Sequence, residues 1–225
     1  QTTTINRFRS QPIEGTNSGH YRFAIIGDHQ IINDKRYERL VQACKDKVIE
    51  KYASSASDTL IEDHLRLMVC DGDQVTIGTL EHYEKMHFGQ SRPLMSNVPI
   101  MTVVGNHEYA SDPNLVNYFG HYVYDDISYK NITGNHGEEY YAFQVANILF
   151  VMINSVRGTD PDQYSWIEQI VDAADADPSV EWVFADNHYC FYSEQMPGDG
   201  SAAVRDGYGP RLTKTDKYAM HITGH

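Results

Sequence analysis

The sequence predicts an α/β fold with a largely parallel or mixed sheet. Short apolar runs of strand length alternate along the chain with stretches of helical periodicity. Several of the apolar runs are followed by carboxylate, amide or imidazole side chains, at the positions where open α/β sheets build their sites. At 225 residues the chain is long enough for one domain with a sizeable core, without requiring a second.

The elements follow in order. Residues 1–20 are polar, with Pro12, Gly15 and Gly19, and form an expected extended leader or linker. Tyr21 to Gly27 is aromatic and apolar, of strand length, and ends at a glycine. From Asp34 to Tyr52, apolar residues recur at Leu40, Val41, Cys44, Val48, Ile49 and Tyr52, a helical spacing. Leu65 to Cys70 is a second buried strand, Thr79 to Gly89 a helix, and Pro99 to Val104 a third strand.

Asp112-Pro113 then opens a short helix, with Asp as cap and Pro at its first position. Gly120 to Gly137 has little periodicity and is expected to be a long functional loop. Tyr140 to Ser155 alternates around Ala146-Asn147, which predicts a hairpin. Asp160 caps a helix carrying Trp166, Ile167, Ile170 and Val171, with Gln163 placed to complete a capping box. Glu181 to Ala185 and Tyr218 to Thr223 are the last strands, separated by an expected Gly-rich loop from Gly198 to Gly209.

A hydrophobic content of 41% with 22% charged residues is that of a soluble globular protein. A net charge of −13 argues against a nucleic-acid backbone or an anionic membrane as the main partner. An anionic substrate then needs a local positive centre, which bound metal ions provide. Cys44, Cys70 and Cys190 are widely spaced, which excludes a zinc-finger pattern and a dense disulfide framework. No apolar run is long enough to span a membrane. Asn131-Ile132-Thr133 is a glycosylation sequon.

The residues after the strands carry the chemistry. They are Gly27-Asp28-His29-Gln30, Asp71-Gly72-Asp73, Gly105-Asn106-His107-Glu108, Asp186-Asn187-His188 and Gly224-His225. Taken singly, each is an ordinary turn or a core histidine. Together they mix carboxylate, amide oxygen and imidazole, a donor set suited to Mn, Fe or Zn.

In this order the blocks resemble the calcineurin-like metallophosphoesterases, whose short motifs run D-x-H or a variant, G-D, G-N-H-[DE], a lone His and G-H-x-H. The resemblance spans residues 21–225. Tyr140-Tyr141-Ala142-Phe143, Leu149 to Ser155 and His188 to Ser193 look like the purple acid phosphatase branch. Thr76 stands where that branch has its iron-binding tyrosine, so no purple chromophore is expected.

The resemblance implies a four-layer β-sandwich flanked by helices, with a dinuclear metal site at the strand ends and a small phosphorylated substrate. Asp73 would bridge two divalent or trivalent ions. Asp28, with Gln30 where many members have His, would hold the first, and Asn106, His188 and His225 the second. A hydroxide bridging the ions would attack phosphorus, and His107, oriented by Glu108, would protonate the leaving group. The expected activity is that of an acid-phosphatase-like monoesterase.

The alternatives are a phosphodiesterase or nucleotide pyrophosphatase, some of which carry an Asp-x-Gln first block, or a catalytically weak binding protein that keeps the fold. The family's last block continues beyond His225, so the sequence is expected to stop short of the domain's C-terminal end. His29 is expected to point away from the site, because adjacent side chains diverge on an extended segment. His20, His64, His82, His87, His121, His136 and His221 are assigned to the surface by default. The sequence start at Gln1, the tyrosine-rich acidic composition and the phosphatase resemblance favour an exported protein. The oligomeric state is left open.

Overall fold

The computed structural model describes residues 6–17, 19–30, 35–124, 127–133, 137–194 and 201–225. Within them, two β-sheets face each other. The first has strands β1 (Phe23–Ile26), β2 (Leu67–Cys70) and β3 (Ile100–Thr102), all parallel, in the order β1-β2-β3. The second has β4 (Tyr141–Val145), β5 (Ile148–Ile153), β6 (Trp182–Tyr189) and β7 (Tyr218–Gly224), in the order β4-β5-β6-β7. Only its hairpin pair β4–β5 is antiparallel.

Alternation along the strands builds three layers of core. Leu67, Val69 and Met101 of the first sheet meet Tyr141, Phe150, Met152 and Ile222 of the second. Phe150 is fully buried, stacked on its cross-strand neighbour Phe143 at 5.0 Å and met edge-on by Phe23 at 5.4 Å. Burying such a ring is worth about 1.5–3 kcal/mol. On the outer face of the first sheet, Met68 packs against Tyr37 and Val41 of helix α1 (Arg36–Tyr52), Ile61 of α2 (Ile61–His64) and Leu94. On the outer face of the second, Leu149, Val151 and Val183 pack against α7 (Pro161–Ala176) and α8 (Ser201–Leu212). The result is the helix–sheet–sheet–helix sandwich that the sequence leads one to expect.

Four elements differ from expectation. The helix predicted to end at Gly89 runs as α3 (Leu80–His82), a π-helical turn (Tyr83–Phe88) and α4 (Gly89–Met95), with the Gly89 amide reaching back to the Glu84 carbonyl. Asp112 does cap the next helix, but α6 (Val116–His121) begins three residues later than expected. Asp112 accepts from the amides of Val116 at 3.0 Å and Asn117 at 2.7 Å.

Gln163 leaves its capping box unfinished, because it is spent on the Asn154 backbone, which it binds at 2.8 and 3.0 Å. The expected Gly198–Gly209 loop contains helix α8, since Val204, Tyr208 and Leu212 recur at helical spacing and are fully buried. Gly207 fits there because a Cβ would stand 2.2 Å from the Tyr164 hydroxyl of α7.

The described residues of the N-terminal stretch are hydrogen-bonded to the sheets and their loops. Gln11 donates to the Arg66 carbonyl at 2.8 Å and the Gly15 amide to the Ala146 carbonyl at 2.7 Å. The three cysteines are free thiols, Cys70 fully buried. Among the described residues no helix is long and apolar enough to cross a membrane.

Candidate metal centre

The carboxyl ends of the parallel strands bring the sequence-selected residues to one edge of the sandwich. Asp28 follows β1, Asp73 follows β2, Asn106 opens the short helix α5 (Asn106–Tyr109) after β3, and His225 follows β7. His188 differs from expectation. β6 continues to Tyr189, so His188 projects from within a strand and is fully buried.

The backbone here is strained where the ligand-type residues sit. Asp28 (φ 50°), Asp73 (φ 51°) and His225 (φ 70°) all occupy the left-handed region, which costs a non-glycine residue on the order of 1 kcal/mol and persists only where surroundings enforce it. The glycines of the motifs permit close approach. A Cβ on Gly72 (φ 93°) would lie 2.7 Å from His188 Nδ1, and one on Gly105 would lie 2.3 Å from Asp73 Oδ1.

The tautomer of His188 follows from its partners. Its Nδ1 lies 2.9 Å from the Asp71 carbonyl, an acceptor, so Nδ1 carries the proton and donates. In the neutral ring Nε2 is therefore a bare lone pair. It faces Asn106 Oδ1 at 3.1 Å, His225 Nδ1 at 3.1 Å and Asp73 Oδ1 at 3.3 Å. One ligand atom each from Asp73, His188 and His225 lies within 4.8 Å of the others.

Burial works against a charged His188, but the hydrogen bond and charge of Asp73 outweigh it and hold the imidazole above its ordinary pKa. The same pairing, aided by the His107 amide, overcomes burial to keep the Asp73 carboxylate below its usual range. Two oxygen acceptors and a second imidazole nitrogen gathered around one lone pair form a mixed ligand set that fits a transition ion.

Asp28 and Gln30 stand at the other side. The Asp28 carboxylate accepts from the His225 amide at 3.1 and 2.9 Å. Gln30 turns its Nε2 to Asp73 Oδ2 at 3.1 Å, and its Oε1 is buried with no partner. Rotating the carboxamide would present that oxygen to a cation instead. The Asp73, His188 and His225 atoms are already grouped as a cation would need, and Asp28 with a rotated Gln30 would offer oxygen donors beside them.

His107 is partly exposed beside this cluster. Its amide donates to Asp73 Oδ1 at 3.0 Å, and its Nδ1 donates to the Thr76 carbonyl at 2.7 Å. That leaves Nε2 on the site side, 3.9 Å from Asp73 Oδ2. Glu108 does not orient the imidazole as the sequence led us to expect. Its buried carboxylate accepts the amides of Asp73 (2.9 Å), Gln74 (2.7 Å) and Gly105 (2.7 Å), bracing the second and third motif loops together. Burial and the nearby Asp73 push its pKa up to about 7 against those amides. Thr76 also donates to the Gln30 carbonyl at 3.0 Å, so one residue holds both the first loop and the His107 ring.

Asp71 and Asp186 belong to the blocks read from the sequence but were given no role there. Asp186 is fully buried in β6 with neither oxygen partnered, and Asp71 has a buried, unpartnered Oδ1. Burial, then the Asp28 charge, raises Asp71 to about 6, and burial with Asp71 nearby raises Asp186 well above the carboxylate range. Their only signal in the sequence is a carboxylate continuing an otherwise apolar strand. His29 points away from the cluster, as expected. His87 and His64, assigned to the surface, are buried, and His221 is half-buried between Tyr218 and Asn187. His136 lies outside the described residues.

Two facing sheets with ligand-type residues at their shared edge define a metallophosphoesterase fold. The sequence profile of the calcineurin-like phosphoesterases matches residues 21–225, and the chain belongs to that family, whose members are metal-dependent. No curated protein sequence matches the chain.

Among solved structures, a purple acid phosphatase from yellow lupin (Lupinus luteus) seeds superposes with a TM-score of 0.65 at 16% identity, over 97% of this chain and 39% of its own length. A dimetal phosphatase from Danio rerio superposes with a TM-score of 0.56 at 14% identity, over 91% of this chain and 81% of its own. This chain therefore spans well under half of the lupin protein, and at these identities the likeness is one of fold.

Proposed function

We propose that the chain hydrolyses phosphate monoesters at a dinuclear centre. Asp73 would be the shared ligand, Asp28 and Gln30 would serve the first metal, and Asn106, His188 and His225 the second. The observation that supports this most is the buried His188 Nε2 facing Asn106 Oδ1, His225 Nδ1 and Asp73 Oδ1 at 3.1–3.3 Å. Bound Mn, Fe or Zn ions would supply Lewis-acid polarisation of the phosphoryl group and a more acidic water.

The chain's own residues do the rest. The Asp71 carbonyl keeps the proton of neutral His188 on Nδ1. The Thr76 carbonyl likewise accepts the Nδ1–H of His107 and turns Nε2 to the site, where the doubly protonated imidazolium would carry the proton that it delivers to the leaving oxygen. Glu108 keeps the loops bearing Asp73 and Asn106 in register.

A phosphodiesterase is the second reading, motivated by Gln30 in place of histidine. Turnover of p-nitrophenyl phosphate and of its bis ester, with Mn, Fe or Zn added, separates the two. Faster hydrolysis of the monoester is expected. Preference for the bis ester would favour the second reading, and no turnover of either with metal bound would contradict both.

A further inference from the structure

The two aspartates that open the first and second motif loops, Asp28 and Asp73, are each followed by a residue whose side chain leaves the site and enters the same buried hydrogen-bond chain. His29 Nε2 lies 2.8 Å from His87 Nδ1, and His87 Nε2 lies 2.8 Å from the Tyr122 hydroxyl. The Tyr122 hydroxyl in turn donates to Gln74 Oε1. All four residues are at most 5% exposed.

The polarity of this chain is fixed from one end. Gln74 Nε2 donates to the Val103 carbonyl at 3.4 Å, so its Oε1 faces Tyr122 and accepts. The Tyr122 hydrogen is thereby spent, and its oxygen must accept from His87 Nε2–H. Neutral His87 then has a bare Nδ1, which accepts from His29 Nε2–H. Each group has one role, and no link can reverse without breaking another.

His87 reaches this position from the π-helical turn Tyr83–Phe88, a local irregularity that is frequent at functional sites. The His29 ring is clamped from the side by Tyr37, stacked at 3.9 Å.

We propose that His87 and Tyr122 are positioning residues that hold the Asp28–Gln30 loop at a fixed distance from Asp73, and so set the affinity of the first metal. Neither touches a candidate ligand. They act through His29 and Gln74, the immediate neighbours of two aspartates held in the left-handed region at φ 50° and 51°. Such backbone persists only where the surroundings over-determine it, and this chain of bonds ties the two loops together from behind, in addition to the direct Gln30–Asp73 and Thr76–Gln30 bonds. A purely structural role would cost stability without favouring one metal over the other. The proposal rests on the dinuclear reading above.

The test is a calorimetric Mn²⁺ titration of the metal-stripped full chain, wild type against His87→Leu and His87→Gln. Wild type is expected to bind two Mn²⁺. His87→Leu, which removes both links at similar volume, keeps one binding step and weakens the other about 10-fold, the low end of what losing a ligand's own hydrogen-bond partner costs, because His87 acts one residue further out. The Mn²⁺ concentration for half-activation rises accordingly, by more than kcat at saturating Mn²⁺ falls. His87→Gln, which retains a donor and an acceptor, recovers most of the loss.

If wild type binds two Mn²⁺ and His87→Leu binds both as tightly, the proposal is overturned and the dinuclear reading stands. If wild type itself binds fewer than two, the dinuclear reading fails and takes the proposal with it. Should His87→Leu not fold, Tyr122→Phe deletes only the hydroxyl and cuts the chain between His87 and Gln74. A smaller loss at the same site supports the proposal, and unchanged affinity overturns it.

Discussion

The two halves of the candidate centre are built differently. The half made by Asn106, His188 and His225 projects from, or directly adjoins, strands and a helix start, and Asn106 Oδ1 and His225 Nδ1 each lie 3.1 Å from His188 Nε2. Its tautomer is set by a backbone carbonyl, and His188 is fully buried. The half made by Asp28 and Gln30 lies on the loop after β1. There Asp28 is exposed and bonded to the His225 amide, while Gln30 points its amide nitrogen, not its oxygen, at Asp73. One half is pre-organised for a cation. The other must turn a carboxamide and release a hydrogen bond before it can hold one, so its affinity is the more easily tuned.

The largest expected effect removes the residue common to both halves. Asp73→Ala should abolish turnover and the binding of both metals, measured by metal content after gel filtration. A variant that keeps one metal at full occupancy would show that the halves do not share Asp73. Next, His107→Ala should lower kcat about 10²–10⁴-fold on an alkyl phosphate and less on p-nitrophenyl phosphate, whose leaving group needs little help from an acid. Equal losses on both substrates would remove His107 from proton delivery.

Gln30→His sharpens the contrast from the weak side. It should tighten only the first site, read as a lower Mn²⁺ concentration for half-activation. Glu108→Ala should cost about 2–4 kcal/mol in denaturant unfolding, since it strands several buried amides at once. A change under 1 kcal/mol would contradict the bracing role assigned to Glu108.

The smallest effect concerns pH. Burial lowers His221 to about 4, so the folded chain keeps it neutral where the unfolded chain takes up a proton. Stability is therefore lost as pH falls below about 6.5 toward 4. His221→Gln should flatten that fall by about 1–2 kcal/mol between pH 6.5 and 5, measured by thermal unfolding.

The fold and the ligand-type residues were legible because each belongs to a short local pattern at or near the end of a strand, His188 within β6 itself. What was not legible depends on tertiary contacts. Helix α8 was hidden by Gly207 and Gly209, although burial of Val204, Tyr208 and Leu212 outweighs their poor helix propensity. His87 has no sequence signal, because a π-helical turn rather than a motif brings it to His29. Glu108 stands beside His107 in the chain, yet its carboxylate turns to the amides of other loops. Adjacency in sequence suggested a partner that geometry does not provide.

The most direct test of the account is the electron paramagnetic resonance spectrum of the chain loaded with two equivalents of Mn²⁺. A shared centre predicts an exchange-coupled dinuclear signal that is replaced by the six-line spectrum of unbound Mn²⁺ in Asp73→Ala. An isolated six-line spectrum from the fully loaded wild type would contradict the claim that Asp73 joins the two halves into one site.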